Sequence, residues 1–238
     1  MASLAHPQPR PHHRAGIAVA SLVTVVAAGA ALGLALAAPG LGSSLHQHLS
    51  WLLTFLAATV FLQLCAVRLP GQGTISVSAV GIVAAAIALG AGPAMAIAVV
   101  AALTQWVRAR GLLHRALFDA SNFALSAGVA SLTYHGLADA QSSGALRLLG
   151  AVLAGLAYTT VNHGLLCAAI GVSARRSPYK VWAERFHWAR YHFLAYGALA
   201  LLAVTANDQL GSISLLALIL PPLLLWRTMQ NRIDRGNL

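Results

Sequence analysis

The chain has 238 residues, of which 58% are hydrophobic and only 8% charged, with a formal net charge of +10. Soluble globular domains carry about 25% charged residues, so most of this surface cannot face water and its solvent is lipid. Mean hydropathy is +0.74, and at about 20 residues per spanning helix the length allows seven or eight spans and leaves no room for a separate soluble domain.

Residues 1–14 hold Pro7, Pro9, Pro11, His12, His13, Arg10 and Arg14. Such a stretch is too polar to bury a core and reads as a flexible cytoplasmic tail. Segment one covers 15–38 and is expected to end at Pro39-Gly40. Its basic lead-in and Ala35-Leu36-Ala37 also fit a secretory signal, but its apolar run exceeds the roughly 7–15 residues of a signal core. That favours a retained helix; cleavage would leave seven spans.

Segment two covers 49–67, with Trp51 at its outer end and Arg68, Pro70 and Gly71 closing it on the inside. Segment three, 74–90, and segment four, 93–107, flank the uncharged break Gly90-Ala91-Gly92-Pro93. They form a helical hairpin with an outer turn, or a re-entrant pair whose turn must be buried in protein. Segment five covers 116–136, and segment six, 146–172, is long enough to tilt. Residues 178–190 alternate charges with Tyr179, Trp182, Phe186 and Trp188, the pattern of an amphipathic helix lying in the membrane interface. Segment seven, 191–206, turns at Asn207-Asp208. Segment eight, 211–226, carries Pro221-Pro222, which should kink or break it, and 227–238 form a basic tail.

The charges decide the threading. Of the 15 Lys and Arg residues, all but Arg147 fall on one side of this eight-segment path. Basic residues resist translocation, so both termini and the loop carrying Arg175, Arg176, Lys180, Arg185 and Arg190 are expected in the cytoplasm. The fold class read from the sequence is therefore an all-α membrane protein: a polytopic bundle of about eight transmembrane helices, with N and C termini inside. Its expected location is a bacterial cytoplasmic (inner) membrane, crossed several times. The basic loops serve insertion and attract anionic lipid; they do not indicate nucleic acid. Cys65 and Cys167 lie in apolar runs and read as small buried hydrophobes. Gly29 and Gly33 form a small-xxx-small pair, a weak sign of a packing partner.

The polar residues inside these segments are the candidates for function. In segment five, Arg115, Asp119, Asn122, Ser126 and Thr133 fall within a stripe about 60° wide at helical spacing. A carboxylate in a spanning helix is costly and needs a partner or a cavity. Asp119 is expected either to pair with Arg115 at the helix end or to meet a ligand or ion. In segment six, Tyr158, Thr159, Asn162 and His163 lie near the centre, where lipid offers no hydrogen bonds. They are expected to bond to the segment-five stripe, to line a pocket with it, or both, and His163 is able to titrate near neutral pH. Gln63, Gln105, Tyr191, His192 and Tyr196 are further pocket candidates, each with a structural reading. The expected ligand-binding set is Asp119, Asn122, Ser126, Tyr158, Asn162 and His163. Asp119 would supply charge, the amides orientation and His163 a proton. His46-Gln47-His48 lacks a third metal ligand, and a haem between His163 and His192 has no support in the spacing. The chain lacks HExxH, GxSxG, a Walker A loop and CxxC, and the sequence names no cofactor.

Three stretches carry a resemblance: "TISVSAVGIVAAAIALGAGPAMAIAVVAALTQWV" at 74–107, "HRALFDASNFALSAGVASLTYHGL" at 114–137, and "VNHGLL" followed by "RRSPYKVWAERFHW". Across about residues 50–226 the chain resembles a bacterial polytopic membrane sensor-like module, as found N-terminal to HD-GYP-type signalling domains. Its layout is also similar to the substrate-binding subunits of energy-coupling-factor transporters. The resemblance implies recognition of a signal or solute inside the bundle. Only twelve residues follow segment eight, so a sensor of this layout would need a separate cytoplasmic or membrane partner subunit. The leading functional expectation is a non-enzymatic module recognising a small ligand or ion within the bundle. A structural or assembly subunit, and an intramembrane enzyme acting on lipid or isoprenoid substrates, are the alternatives.

Overall fold

The computed structural model describes residues 13–69, 73–185 and 192–211. Segment eight with Pro221-Pro222, most of the N-terminal tail, the basic C-terminal tail, Tyr191, and Phe186, Trp188 and Arg190 of the interfacial stretch lie outside the described residues. What is described is a helical bundle: α1 His13–Gln47, α2 Leu49–Leu64, α3 Ser78–Leu89, α4 Ala91–Ala109, α5 Leu113–His135, α6 Gly144–Ala174, α7 Pro178–Arg185 and α8 His192–Leu210. Between α2 and α3 lies a two-stranded antiparallel ribbon, β1 Val67–Leu69 and β2 Gly73–Ile75, in the register Val67↔Ile75, Arg68↔Thr74 and Leu69↔Gly73.

Among the described residues, three helices are long and apolar enough to cross a membrane by length and composition: Gly16–Gln47, Ala91–Ala109 and Gly144–Ala174. α2 and α3 are apolar but shorter. α3 has 12 residues, about 18 Å of helix against a hydrocarbon core of about 30 Å. Every residue from Ser78 to Ile87 is buried in protein, so its unbroken apolar run covers a core helix, apolar all round because it is surrounded. The ribbon takes up the residues that the sequence assigns to the start of segment three.

α1 differs most from expectation. It continues for 35 residues through Pro39 and Gly40. Tertiary contact explains why the proline does not end it. Gly92 of α4 packs on the α1 backbone at Ala37 and Leu41, holding the helix on both sides of Pro39. The small-residue pair finds its partner within the chain. A Cβ added at Gly33 would lie 3.0 Å from Met95 Cε, and one at Gly29 would lie 3.9 Å from Leu125. The adjacent side of α1 leaves Val25, Leu32 and Leu36 exposed, as lipid contact requires.

The α3–α4 break is narrower than the four-residue signal suggests. Gly90 alone separates the helices, at φ +85°, a conformation that a residue with a Cβ adopts only under strain. Pro93 sits in the first turn of α4, where its missing N–H costs no hydrogen bond. α8 runs through Asn207 and Asp208 to Leu210, so the expected turn there is helical and the chain leaves the helix at Gly211, φ +69°. Cys167 is buried, while Cys65 caps α2 and is only partly buried.

α5 is the central helix, packing against α1, α3, α4 and α6. Its buried residues include Phe118, Asn122, Ser126, Ser131 and Tyr134, which lie on several sides of the helix. This is how polar and apolar faces of one helix are both enclosed. α6 packs on α5, α7 and α8. Ser143 caps α6, its hydroxyl accepting the Leu146 N–H at 3.4 Å, and Arg175 ends it in the left-handed conformation, φ 53°.

Candidate functional site

Asn122 on α5 and Asn162 on α6 meet between the two helices. The Asn122 amide donates to the Asn162 backbone carbonyl at 3.2 Å and to Asn162 Oδ1 at 3.3 Å. The Asn162 amide donates in turn to the Tyr158 hydroxyl at 3.5 Å. Asn122 and Tyr158 are buried, at 2% and 3% exposure. The cross-helix bond expected from the sequence is thus present, and it aligns one amide on each helix.

One atom of this arrangement stands out. Asn122 Oδ1 is buried and has no hydrogen-bond partner among the described residues. An orphaned acceptor in an apolar interior is a net cost of about 1–3 kcal/mol, so its presence calls for a function or a missing donor. One turn earlier on α5, Asp119 is partly buried and makes no hydrogen bond or ion pair among the described residues. Arg115 and Asp119 are therefore not in ion-pair contact, although the guanidinium still acts on the carboxylate through space. Arg115 is exposed at the start of α5, where solvent competes for its guanidinium.

The remaining predicted residues attach to their own helices. The Ser126 hydroxyl donates to the Asn122 carbonyl at 2.7 Å, and that of Thr159 to the Gly155 carbonyl at 2.8 Å. His163 Nδ1 lies 3.1 Å from the Thr159 carbonyl, so this nitrogen carries the proton. Thr133 bonds back to Val129 at 2.8 Å. Helical hydroxyls commonly back-bond this way. The stripe on α5 is consequently not one continuous pocket wall. It reaches its neighbour through Asn122, with Asp119 beside it. Tyr196 of α8 packs against the same core as Tyr158.

A second polar centre joins α2, α4 and the start of α3. The Gln63 amide donates to Gln105 Oε1 at 2.6 Å, while Gln63 Oε1 accepts from Ser76 at 2.9 Å and from Ser78 at 2.5 Å. Arg108 donates to the Leu64 carbonyl at the end of α2. Gln63 and Gln105 are brought together, as partners of one another rather than of the α5–α6 pair. Ser76 and Ser78 were not singled out in the sequence. Their signal was two serines directly before an apolar run, the usual chemistry of a helix start. A third centre is the Ala86 carbonyl of α3, which Ser131 approaches at 3.1 Å and His135 Nε2 at 3.2 Å.

On the far side of α6, α7 is seated by Val181, 2% exposed, and tied by the Arg176–Glu184 ion pair at 2.7 Å. Tyr179 and Trp182 stack with ring centroids 6.2 Å apart, leaving Tyr179 largely exposed. Among the described residues no group of three His, Cys, Asp or Glu side chains is placed to hold a metal ion.

The MASE9 family model matches residues 41–225, well over half of the chain. The match begins in the last turns of α1 and includes both polar centres. Comparison with curated proteins and with solved structures returns no match. The chain belongs to the MASE9 family of membrane-associated sensor domains.

Proposed function

We propose that this chain is a non-enzymatic recognition module of the membrane-associated sensor type, and that it meets a small ligand or ion between α5 and α6. The observation that carries this reading is the Asn122–Asn162 bridge with its unpartnered oxygen. A bundle built only for stability would satisfy that acceptor or replace it with an apolar group. Asp119, Asn122, Ser126, Tyr158, Asn162 and His163 remain the residues assigned to the site. Because α5 packs against four neighbouring helices, a ligand that changes the α5–α6 contact would also shift α1, α3 and α4. That gives a local binding event a route to the rest of the bundle.

The proposed setting is a bacterial inner membrane crossed eight times, or seven after cleavage of the first segment, with both termini and the α6–α7 elbow in the cytoplasm. The distribution of Lys and Arg supports this threading. A cytoplasmic output partner fits the sensor layout. Reporter fusions placed after residue 176 should show a cytoplasmic location; an external one overturns the threading. Recognition is tested by thermal unfolding of the full chain in nanodiscs against a panel of small polar compounds. A stabilising compound whose effect disappears in Asn162→Ala supports the reading. If every compound acts equally on the parent and on Asn162→Ala, the bridge serves structure or assembly alone.

A further inference from the structure

Resting on that recognition site, we infer that its ligand is a cationic hydrogen-bond donor, a protonated amine carried on a small or apolar body. The argument rests on two acceptors left without donors. The hydroxyls of Ser126 and Thr159 and the side-chain nitrogens of Asn122 and Asn162 each make a hydrogen bond within the protein. His163 Nδ1 is engaged by the Thr159 carbonyl. Two acceptors remain: among the described residues Asn122 Oδ1 is buried without a donor, and the Asp119 carboxylate has neither hydrogen bond nor ion pair and meets only the through-space charge of Arg115.

These two groups stand three residues apart on α5, which places them on one face at neighbouring turns. The complement of a carboxylate beside a carbonyl-type oxygen is an ammonium group. It brings three donors and a positive charge, and a charge-assisted bond is about twice as strong as a neutral one. An anion would meet the Asp119 charge in a low-dielectric setting. A neutral acceptor would leave Asn122 Oδ1 orphaned. A divalent metal would find a single carboxylate and no cluster of charged or imidazole ligands among the described residues, too few for the oxygen shell such ions require. Tyr158, which the Asn162 amide reaches and which is buried in the same core as Tyr196 of α8, suits an amine with a small apolar body.

The test uses the full chain in nanodiscs, with butylammonium, butyrate and butan-1-ol as probes of matched size and opposite or absent charge. Saturable binding is read by thermal shift and by calorimetry. Butylammonium should bind, and Asp119→Asn should weaken it about tenfold to a hundredfold, while Asp119→Glu retains binding. Circular dichroism and the unfolding temperature of each variant separate lost binding from lost folding. Butylammonium binding unchanged by Asp119→Asn overturns the inference. Binding of butyrate or butan-1-ol that depends on Asn162, without binding of butylammonium, overturns the cationic ligand while preserving recognition at α5–α6. No binding of any probe overturns the cationic ligand, leaving the recognition reading to its own compound panel.

Discussion

Gly155 of α6 and Gly197 of α8 face each other with no side chain between them. A Cβ on Gly155 would lie 2.6 Å from the Gly197 backbone nitrogen, and one on Gly197 would run into the Ala151 carbonyl. In lipid, helices associate through close packing and not through water-driven burial, so this crossing is set by the absence of two methyl groups. It also fixes α8 beside Tyr158 and the α5–α6 bridge.

Alanine at either glycine should therefore destabilise the bundle. The obstacle is backbone, which cannot rotate away, and overpacking of this kind costs about 1–3 kcal/mol. Gly164→Ala provides the contrast: a Cβ there meets nothing within 4 Å, and the substitution should be neutral or stabilising by up to about 1 kcal/mol through helix propensity. Denaturant titration of the three variants in micelles measures the difference. Equal stabilities for Gly155→Ala and Gly164→Ala would contradict the crossing.

The Asn122–Asn162 bond should register as a coupling energy between α5 and α6. A double-mutant cycle with Asn122→Ala and Asn162→Ala is expected to give about 0.6 kcal/mol, with about 1.7 kcal/mol as the upper end for such bonds in membranes. Asn122→Ala removes the orphaned oxygen along with the bond, and in Asn162→Ala the Asn122 amide keeps its bond to the backbone carbonyl of residue 162, so each single substitution should cost less than about 3 kcal/mol. A larger loss in Asn122→Ala would mean that Asn122 Oδ1 is satisfied in solution.

At the second polar centre, Gln63→Ala should be worse than Gln105→Ala. Gln63 is bonded to Gln105, Ser76 and Ser78, and its loss deprives Gln105 Oε1 of its donor and both serine hydroxyls of an acceptor, leaving them only their bond to each other, at about 1–3 kcal/mol for a buried group left unsatisfied. Loss of Gln105 frees only the Gln63 amide. Unfolding temperatures of the two variants test the ranking, and amide exchange at the start of α3 should rise in Gln63→Ala.

The loop between α5 and α6 carries a pH-sensitive turn. The Ser142 hydroxyl donates to Asp139 Oδ1 at 2.7 Å and the Gln141 N–H does so at 3.0 Å. The Ser142 hydroxyl bond, followed by backbone bonds from Ser142 and Gln141, holds the carboxyl below its ordinary range. A depressed folded-state value stabilises the turn above the unfolded titration range, and that stabilisation is lost as pH falls through the folded value. Protection of the Gln141 amide, its exchange rate relative to the intrinsic rate at the same pH, should therefore fall on the acid side of ordinary carboxylate titration. In Asp139→Asn protection should be low and nearly independent of pH over the same window. Protection unchanged across that window in the parent would refute the turn.

The two polar centres differ in how far they could be read in advance. Asn122 and Asn162 were identifiable because an amide in an apolar run must find a partner, and their positions near the middle of long segments left few candidates. The Gln63 centre was visible only as isolated glutamines, since its serines lie across a ribbon that periodicity does not reveal. The Arg115–Asp119 pair shows the opposite failure. Helical spacing permits it, but solvent at the helix end and burial one turn later pull the two charges into different environments.

By itself, the sequence determined that the chain belongs in lipid, that it forms apolar helices separated by glycine and basic breaks, and that amides inside those helices, Asn122 and Asn162 among them, must find partners. Composition and charge act locally and one residue at a time, so they are legible without a fold. Tertiary structure alone decided that α1 continues through Pro39, that α3 is a short helix enclosed by protein from Ser78 to Ile87, that Gly29 and Gly33 pack inside the chain, and that Asn122 keeps an oxygen without a partner among the described residues. Each of these depends on which helix lies alongside, and in a chain this rich in alanine and glycine many pairings are sterically open until the helices have packed.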